Sequence, residues 1–375
     1  MTPRSPSEPH RAATPLELFF DLVFVVAIAI AAEGLHHAVA EGHAAEGVVG
    51  YVMAFFGIWW AWMNFSWFAS AYDTDDVPYR LAVFLQMTGA LIFAAGLPGM
   101  GSGDFRAGVA GYVIMRLAMV GQWLRAASGD PAHAPTARRY ALGIAVVQAA
   151  WVGFLWAPVE WQVAGFFLLV LCELSVPVWA ERVAQTPWHP HHMAERYGLF
   201  TIIVLGESIL AATVAVQSAL EGGAGVGELL GVIGGGLLIV FSLWWLYFDR
   251  PMHDHLSSLN RALVWGYGHI LVFASAAAVG AGLAVAVDHA TDHATIGAFG
   301  AGAAVAFPVA IYLASLWILQ RRPGEGAGAL VGLLTAGLIA LTPFTGQAVL
   351  WTGLLLALLL AGKLVGRQAP VTPSG

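Results

Sequence analysis

The stretch ELFFDLVFVVAIAI (Glu17–Ile30) decides how the chain is read. Fourteen residues carry only two charges, Glu17 and Asp21, one helical turn apart at the head of the run. An apolar run of this kind, extended to about 20 residues, spans a bilayer as an α-helix. A carboxylate inside such a span costs at least ~2.5–3.5 kcal/mol, so it needs a partner, water or a function.

Composition agrees with a membrane protein. Of 375 residues, 59% are hydrophobic and 10% charged, with a mean hydropathy of +0.74. Soluble domains carry about 25% charged residues. The net charge is −7 and no basic block suggests a nucleic-acid partner. Cys172, the single cysteine, excludes an intramolecular disulfide and a cysteine zinc cluster.

Apolar runs of about 17–25 residues recur near 17–38, 47–69, 81–98, 107–126, 139–157, 161–180, 196–219, 228–248, 262–287, 296–319, 327–343 and 346–364. Spans eleven and twelve, joined by TPFTGQ (342–347), read as two crossings or a re-entrant pair. With the N-terminus inside, the inner segments hold Arg4, Arg11, Arg80, Arg125, Arg138, Arg139, Arg182, Arg196, Arg250, Arg261, Arg321, Arg322, Lys363 and Arg367. The outer loops hold Arg106, and Arg116 falls within span four. This positive-inside bias predicts cytoplasmic termini. The N-terminus MTPRSPSEPHRAATP lacks a cleavable signal pattern and reads as a short cytoplasmic tail.

ERYGLFTIIVLGESIL (Glu195–Leu210) opens a span six spans after Glu17, and GIWWAWMNF (57–65) resembles SLWWLYFDR (242–250). Six is even, so the expectation is an all-α polytopic membrane protein of about twelve transmembrane helices in two parallel six-helix repeats. The predicted divisions are a tail at 1–14, repeats at 15–190 and 191–365, and a tail at 366–375.

Depth follows from 1.5 Å rise per residue. Glu207 lies twelve residues past Glu195, roughly 18 Å in. Glu173, entering from the other side, reaches a similar depth. Arg116 lies roughly 15 Å past Arg106, and Asp21 about one turn past the membrane edge. Arginine stays protonated and needs an anion, so Arg116 pairs with one acid and leaves another to be protonated, hydrated or ion-bound. Asp21, Glu207, Glu173 and Arg116 are the candidate ion or substrate pathway. Thr14, Pro15 and Glu17 fit a capping box, and Glu195 suits a helix N-terminus.

Other motifs carry less. WHPHH (188–192) and HDH (253–255) offer histidines without cysteine support, and no metal site is assigned. Gly231 and Gly235 have the spacing of close helix packing. WWAWMNFSWF (59–68) reads mainly as an interfacial aromatic belt.

ELFFDLVFVVAIA (17–29) and HHMAERYGLFTIIVLGESIL (191–210) resemble the two signature segments of the bacterial low temperature requirement A family. The resemblance spans about residues 12 to 365. It implies a multi-pass protein of the bacterial inner membrane, with no settled biochemical activity. Carried over by motif are Glu17, Phe20 and Asp21, then His192, Glu195, Arg196, Gly198, Gly206, Glu207 and Ser208. A fainter similarity to endolysosomal potassium channels fails at their Phe-Ser-Asp motif, which is FFD (19–21) here.

The functional expectation is a transporter or channel for a small ion or solute, with Thr14, Glu17, His192, Glu195, Arg196 and Ser208 as supporting or capping residues. The alternatives are a non-transporting membrane stress or scaffold protein, or a membrane enzyme acting on a lipid-linked substrate. No catalytic residue, metal or cofactor is assigned. The expected partners are the lipid bilayer and a small ion or solute, with homo-oligomerisation left open.

Overall fold

The structure is a computed structural model, and it describes all residues except 10, 253–255, 257, 322–329 and 369–375. The described residues form twelve α-helices and no strands. They are α1 Pro15–Ala40, α2 Ala44–Tyr72, α3 Val77–Gly101, α4 Arg106–Gly129, α5 Ala134–Phe154 and α6 Val159–Ala180. The second six are α7 Pro190–Glu221, α8 Val226–Phe248, α9 Leu259–Ala290, α10 Ala298–Gln320, α11 Val331–Leu341 and α12 Ala348–Gln368.

Ten of these are long and apolar enough to cross a membrane, against the twelve runs predicted as spans. α5 falls short because Arg138, Arg139 and Gln148 interrupt its apolar run. α11 has 11 residues, or about 16 Å at 1.5 Å per residue, against a hydrocarbon core of about 30 Å. A 3₁₀ turn at Thr342–Thr345 follows it, and Gly346 adopts φ 74° to turn the chain into α12. Part of the predicted eleventh span lies outside the described residues.

The chain divides into two compact units. The first comprises Met1–Gly34, Glu46–Ile203 and Leu256–Gly266. The second comprises Leu35–Ala45, Val204–His255 and Tyr267–Gly375. Helices α1, α7 and α9 thus begin in the first unit and continue in the second.

In the first unit α2 is the central helix. Trp59, Trp60, Trp62, Phe65 and Phe68 are at most 1% exposed. Phe65 packs on Phe20 of α1, Phe68 on Trp123 of α4, Phe56 on Phe166 of α6, and Trp62 on Phe200 of α7. The tryptophan-rich stretch is therefore a core and not the expected interfacial belt. Helices α3 and α4 approach so closely that a Cβ on Gly89 would lie 2.7 Å from the Gly111 carbonyl oxygen. Small residues permit such contact where lipid supplies no hydrophobic drive between helices.

The N-terminal segment, expected as a tail, is packed down in this unit. The Arg4 N–H donates to the Ala71 carbonyl at 2.8 Å. The buried Arg11 guanidinium donates to the Ala69 carbonyl at 2.8 Å. His189 Nε2 lies 2.8 Å from the Glu8 carbonyl.

In the second unit α9 is the buried helix, with Ala276 to Val287 in its core. Ser208 Oγ of α7 donates to the Ala276 carbonyl at 2.8 Å. Gly235 of α8 meets α12, since a Cβ there would lie 2.6 Å from the Val349 carbonyl. Gly231, its expected companion, faces open space.

Candidate functional site: two buried carboxylate centres

Burial along α1 follows a helical stripe. Glu17, Phe20, Asp21, Phe24, Ala27 and Ile28 are buried, whereas Phe19, Leu22 and Val26 are exposed. Residues spaced three and four apart share a helix face, so both acids lie on the packed face. The apolar side chains that surround them on the sequence look outward.

The capping box is formed as expected. The Thr14 N–H donates to Glu17 Oε2 at 2.8 Å, and the Glu17 N–H donates to Thr14 Oγ1 at 3.3 Å. Glu17 does more than cap. Its Oε1 lies 2.9 Å from Arg196 Nη1 and 3.1 Å from His192 Nε2. Arg196 Nη2 donates to Asp21 Oδ1 at 2.5 Å and to Ser66 Oγ at 3.3 Å. The Trp62 indole N–H donates to the same Oδ1 at 2.7 Å.

Two i,i+4 pairs therefore cross: Glu17 and Asp21 on α1, His192 and Arg196 on α7. Glu17 meets His192 and Asp21 meets Arg196, so the two helices run in the same direction at this contact. All four side chains are at most 1% exposed. Trp62 stacks on Phe200 at 4.2 Å and meets Tyr197 edge-on, closing the site with aromatic rings.

Charge here is not balanced by arginine alone. Two carboxylates face one guanidinium, and neutrality needs one further proton, on His192 or on an acid. Buried at the end of α2, Arg11 and Asp73 add one charge of each sign. Burial holds the Asp73 carboxyl above its ordinary value, and the Glu17 charge pushes it further up. Among the described residues, Asp21 Oδ2, His192 Nδ1, Arg196 Nε and the Tyr79 hydroxyl are buried without a hydrogen-bond partner.

The second centre is built on Glu173 of α6. Its Oε2 accepts from the Trp60 indole at 2.8 Å and from Arg116 Nη2 at 3.0 Å. Its Oε1 accepts from the Tyr112 hydroxyl at 2.9 Å, Gln148 Nε2 at 2.8 Å and the Trp151 indole at 3.3 Å. Helices α2, α4, α5 and α6 thus meet at one carboxylate. A carboxylate offers about four lone-pair sites, so five donors saturate it. Arg116 is the partner that charge reasoning required for one of the two deep acids.

Trp60 and Trp62 connect the two centres. Two residues on a helix are about 200° apart, so α2 presents one indole N–H to each carboxylate on nearly opposite faces.

The remaining sequence candidates lie elsewhere. Glu207 belongs to the second unit, is half-buried, and has no hydrogen-bond or ionic partner among the described residues. Ser208 serves α7–α9 packing through its bonds to Val204 and Ala276. Glu195 is exposed, and its neighbour Arg196 is the inward residue. No group of three or more potential metal ligands occurs among the described residues, and HDH (253–255) lies outside them. Reading along the sequence undervalued Arg196, Trp60 and Trp62. The signal for Arg196 was its i,i+4 spacing from His192.

Apolar helices that seal carboxylates and arginines between them define a polytopic helical membrane protein. The chain belongs to the bacterial low temperature requirement A protein (LtrA) family, whose sequence profile matches residues 12–365. Over 272 residues it is 29% identical to an uncharacterized protein, RA0937, of Rhizobium meliloti (strain 1021). That match covers 68% of this chain and 64% of the relative's length.

Proposed function

We propose that the chain is a transporter or channel for a small ion or solute in the bacterial inner membrane, using Asp21 as its principal titratable group. The carrying observation is Asp21 itself. One carboxylate oxygen is held by Arg196 and Trp62, while the other is buried without a partner among the described residues. Intramembrane acids of this kind are functional by default. The neighbouring His192 and Tyr79 offer further polar atoms of the sort that exchange protons or coordinate a cation.

In this reading Glu207 is a second acid on the pathway, being half-buried and without an ionic partner among the described residues. Glu173 and Arg116 line it as a fixed pair that holds four helices in register. The six-plus-six layout, with both termini cytoplasmic, belongs to the same proposal. Parallel α1 and α7, six helices apart, support it, as does the inward excess of basic residues.

The test is flux in reconstituted liposomes, screening protons, monovalent cations and small solutes. Wild type should carry at least one species, with flux strongly reduced in Asp21→Asn and altered in Glu207→Gln. Absence of flux for every species, or identical flux in both variants, would sink the transport reading. It would favour a structural membrane protein, a role that the saturated Glu173 centre also suits.

A further inference from the structure

The strap of residues 1–14 lies against the end of the first unit where α2 and α4 finish and α7 begins. At α2, the Arg4 N–H donates to the Ala71 carbonyl, and the Arg4 guanidinium pairs with Glu8 at 2.5 Å and lies 3.9 Å from Asp73. At α7, the His189 N–H donates to Ser70 Oγ at 2.9 Å, and the His189 ring lies between the Glu8 carbonyl and the His192 N–H, at 2.8 and 3.3 Å. At α4, Met1 sits on Gly129, where a Cβ would collide with the Met1 backbone. The last four carbonyls of a helix have no partner within it, so the strap serves in part as a cap on α2.

Arg11 has a second duty. Trp62, Ser66 and Ala69 of α2 are spaced four and three apart and share one helix face. Along that face Trp62 donates to Asp21, Ser66 accepts from Arg196, and the Ala69 carbonyl accepts from Arg11. Arg11 is therefore held one turn beyond Ser66, roughly 4.5 Å along the axis, between the carboxylate centre and the helix end. It is 5% exposed and is the one buried residue among the described residues of the strap. Its Nε and Nη1 are buried without a hydrogen-bond partner among the described residues, and of the charges acting on it Glu17 attracts it most. Capping α2 requires only the nitrogen that reaches Ala69. It does not account for a guanidinium sealed within the field of Glu17.

Apart from Arg11, the described residues of the strap are exposed or half-buried. Segments with few buried apolar contacts open locally at a fraction of the global free energy. Pro3, Pro6 and Pro9 lack N–H donors and bar the strap from joining α1 as helix.

We propose that residues 1–14 are a lid over the centre of Glu17, Asp21, His192 and Arg196, pinned by Arg11, and that water reaches the centre when the lid lifts. Closed, the lid keeps solvent from the carboxylates and leaves Arg196 as their main cation. Lifting it withdraws the Arg11 charge from Glu17 and opens the centre at this one end. Its purpose rests on the reading of Asp21 as a working acid. The test below is read without flux, so failure of the lid and failure of the transport reading are separate results.

The experiment is thiol labelling of the full chain in nanodiscs by a small, membrane-impermeant methanethiosulfonate. Cys172→Ser removes the native thiol, and Ser66→Cys reports on the centre. Ala90→Cys on α3, a position 2% exposed in the same unit, reports on general loosening. With the lid intact, both positions should label slowly. Arg11→Gln should speed labelling at position 66 about tenfold or more, as expected for losing a hydrogen bond from a charged donor, and leave position 90 slow. Gly129→Val, outside the centre, should do the same by displacing Met1, and it replaces Arg11→Gln should that variant fail to fold. Fast labelling of position 66 with the lid intact overturns the proposal. So does an unchanged rate in the folded variants, which would leave the strap as a cap alone. An equal rise at positions 66 and 90 overturns it too, because the whole unit would then be opening.

Discussion

At the residue scale, the two acids of the opening stretch have different duties. Glu17 closes the helix cap and pairs with His192 and Arg196. Asp21 has no cap to serve and shares Arg196 with Trp62. Arg196 is thus the residue on which the centre depends. Arg196→Gln leaves two buried carboxylates without their guanidinium, and such losses cost about 3–5 kcal/mol. Thermal unfolding in detergent should show that loss, and Asp21→Asn added to it should restore part of the stability. Thr14→Ala should cost about 1 kcal/mol, the usual worth of an N-cap side chain. Trp60→Phe keeps an aromatic ring but removes one of five donors to Glu173 and leaves a small cavity where the buried indole was, so it should cost about 1–3 kcal/mol.

At the element scale, helix positions were readable because apolar length is a strong signal, and the eleventh run was short in the sequence as in the structure. Helix environment was harder to read. Tryptophan favours the membrane interface, so the residues around Trp59–Trp62 suggested a belt. What overrides that preference is the two buried carboxylates, each of which takes an indole N–H from this helix. The partner of Arg116 was legible because a deep arginine demands an acid. The partner of Asp21 was not, since Arg196 follows Glu195 directly and was counted among surface charges. The matched Trp pairs of the two halves also differ: Trp59 and Trp60 are buried, but Trp244 and Trp245 are 47% and 43% exposed. If the halves share an origin, only the first has turned this helix inward. The α3–α4 seam offers a direct check. Gly111→Val would drive a side chain into the α3 backbone near Phe93. It should lower the unfolding temperature well below that of Gly121→Val on the same helix, where a Cβ meets nothing within 4 Å.

At the scale of the whole molecule, pH also acts through groups outside the spanning helices. Burial holds the Glu181 carboxyl above the usual carboxylate range, against the pull of hydrogen bonds from Thr186 and Tyr140. A group raised in this way stabilises fully below its ordinary value, and that contribution is lost as pH rises through the folded value. Glu181→Gln should therefore gain stability relative to wild type as pH rises above the ordinary carboxylate range, measured as the difference in unfolding temperature. Asp130 has the opposite sign. Burial resists its charge, yet hydrogen bonds from His133 and Tyr72 outweigh it and hold the carboxyl below its usual value. Its contribution is present at neutral pH and fades in acid, so Asp130→Asn should flatten the acid limb. Orientation can be measured on the same molecule. With Cys172→Ser as background, cysteines placed at Ser7 and at Ser102 should label from opposite sides of the membrane. Labelling from one side would break the proposed layout.

The paired indoles of α2 have an optical consequence. Trp60 and Trp62 each donate an N–H to a carboxylate, and an indole's ultraviolet absorption and N–H vibration shift with the charge of its acceptor. Asp21 therefore carries its own chromophore, while Glu173 is reported by Trp60 together with Trp151. Difference spectra of Asp21→Asn and Glu173→Gln against wild type would separate the Trp62 signal from that of Trp60 and Trp151 among the chain's 15 tryptophans. A pH titration followed at the Trp62 signal would then report when Asp21 changes charge, in the unlabelled protein and without any knowledge of what it carries.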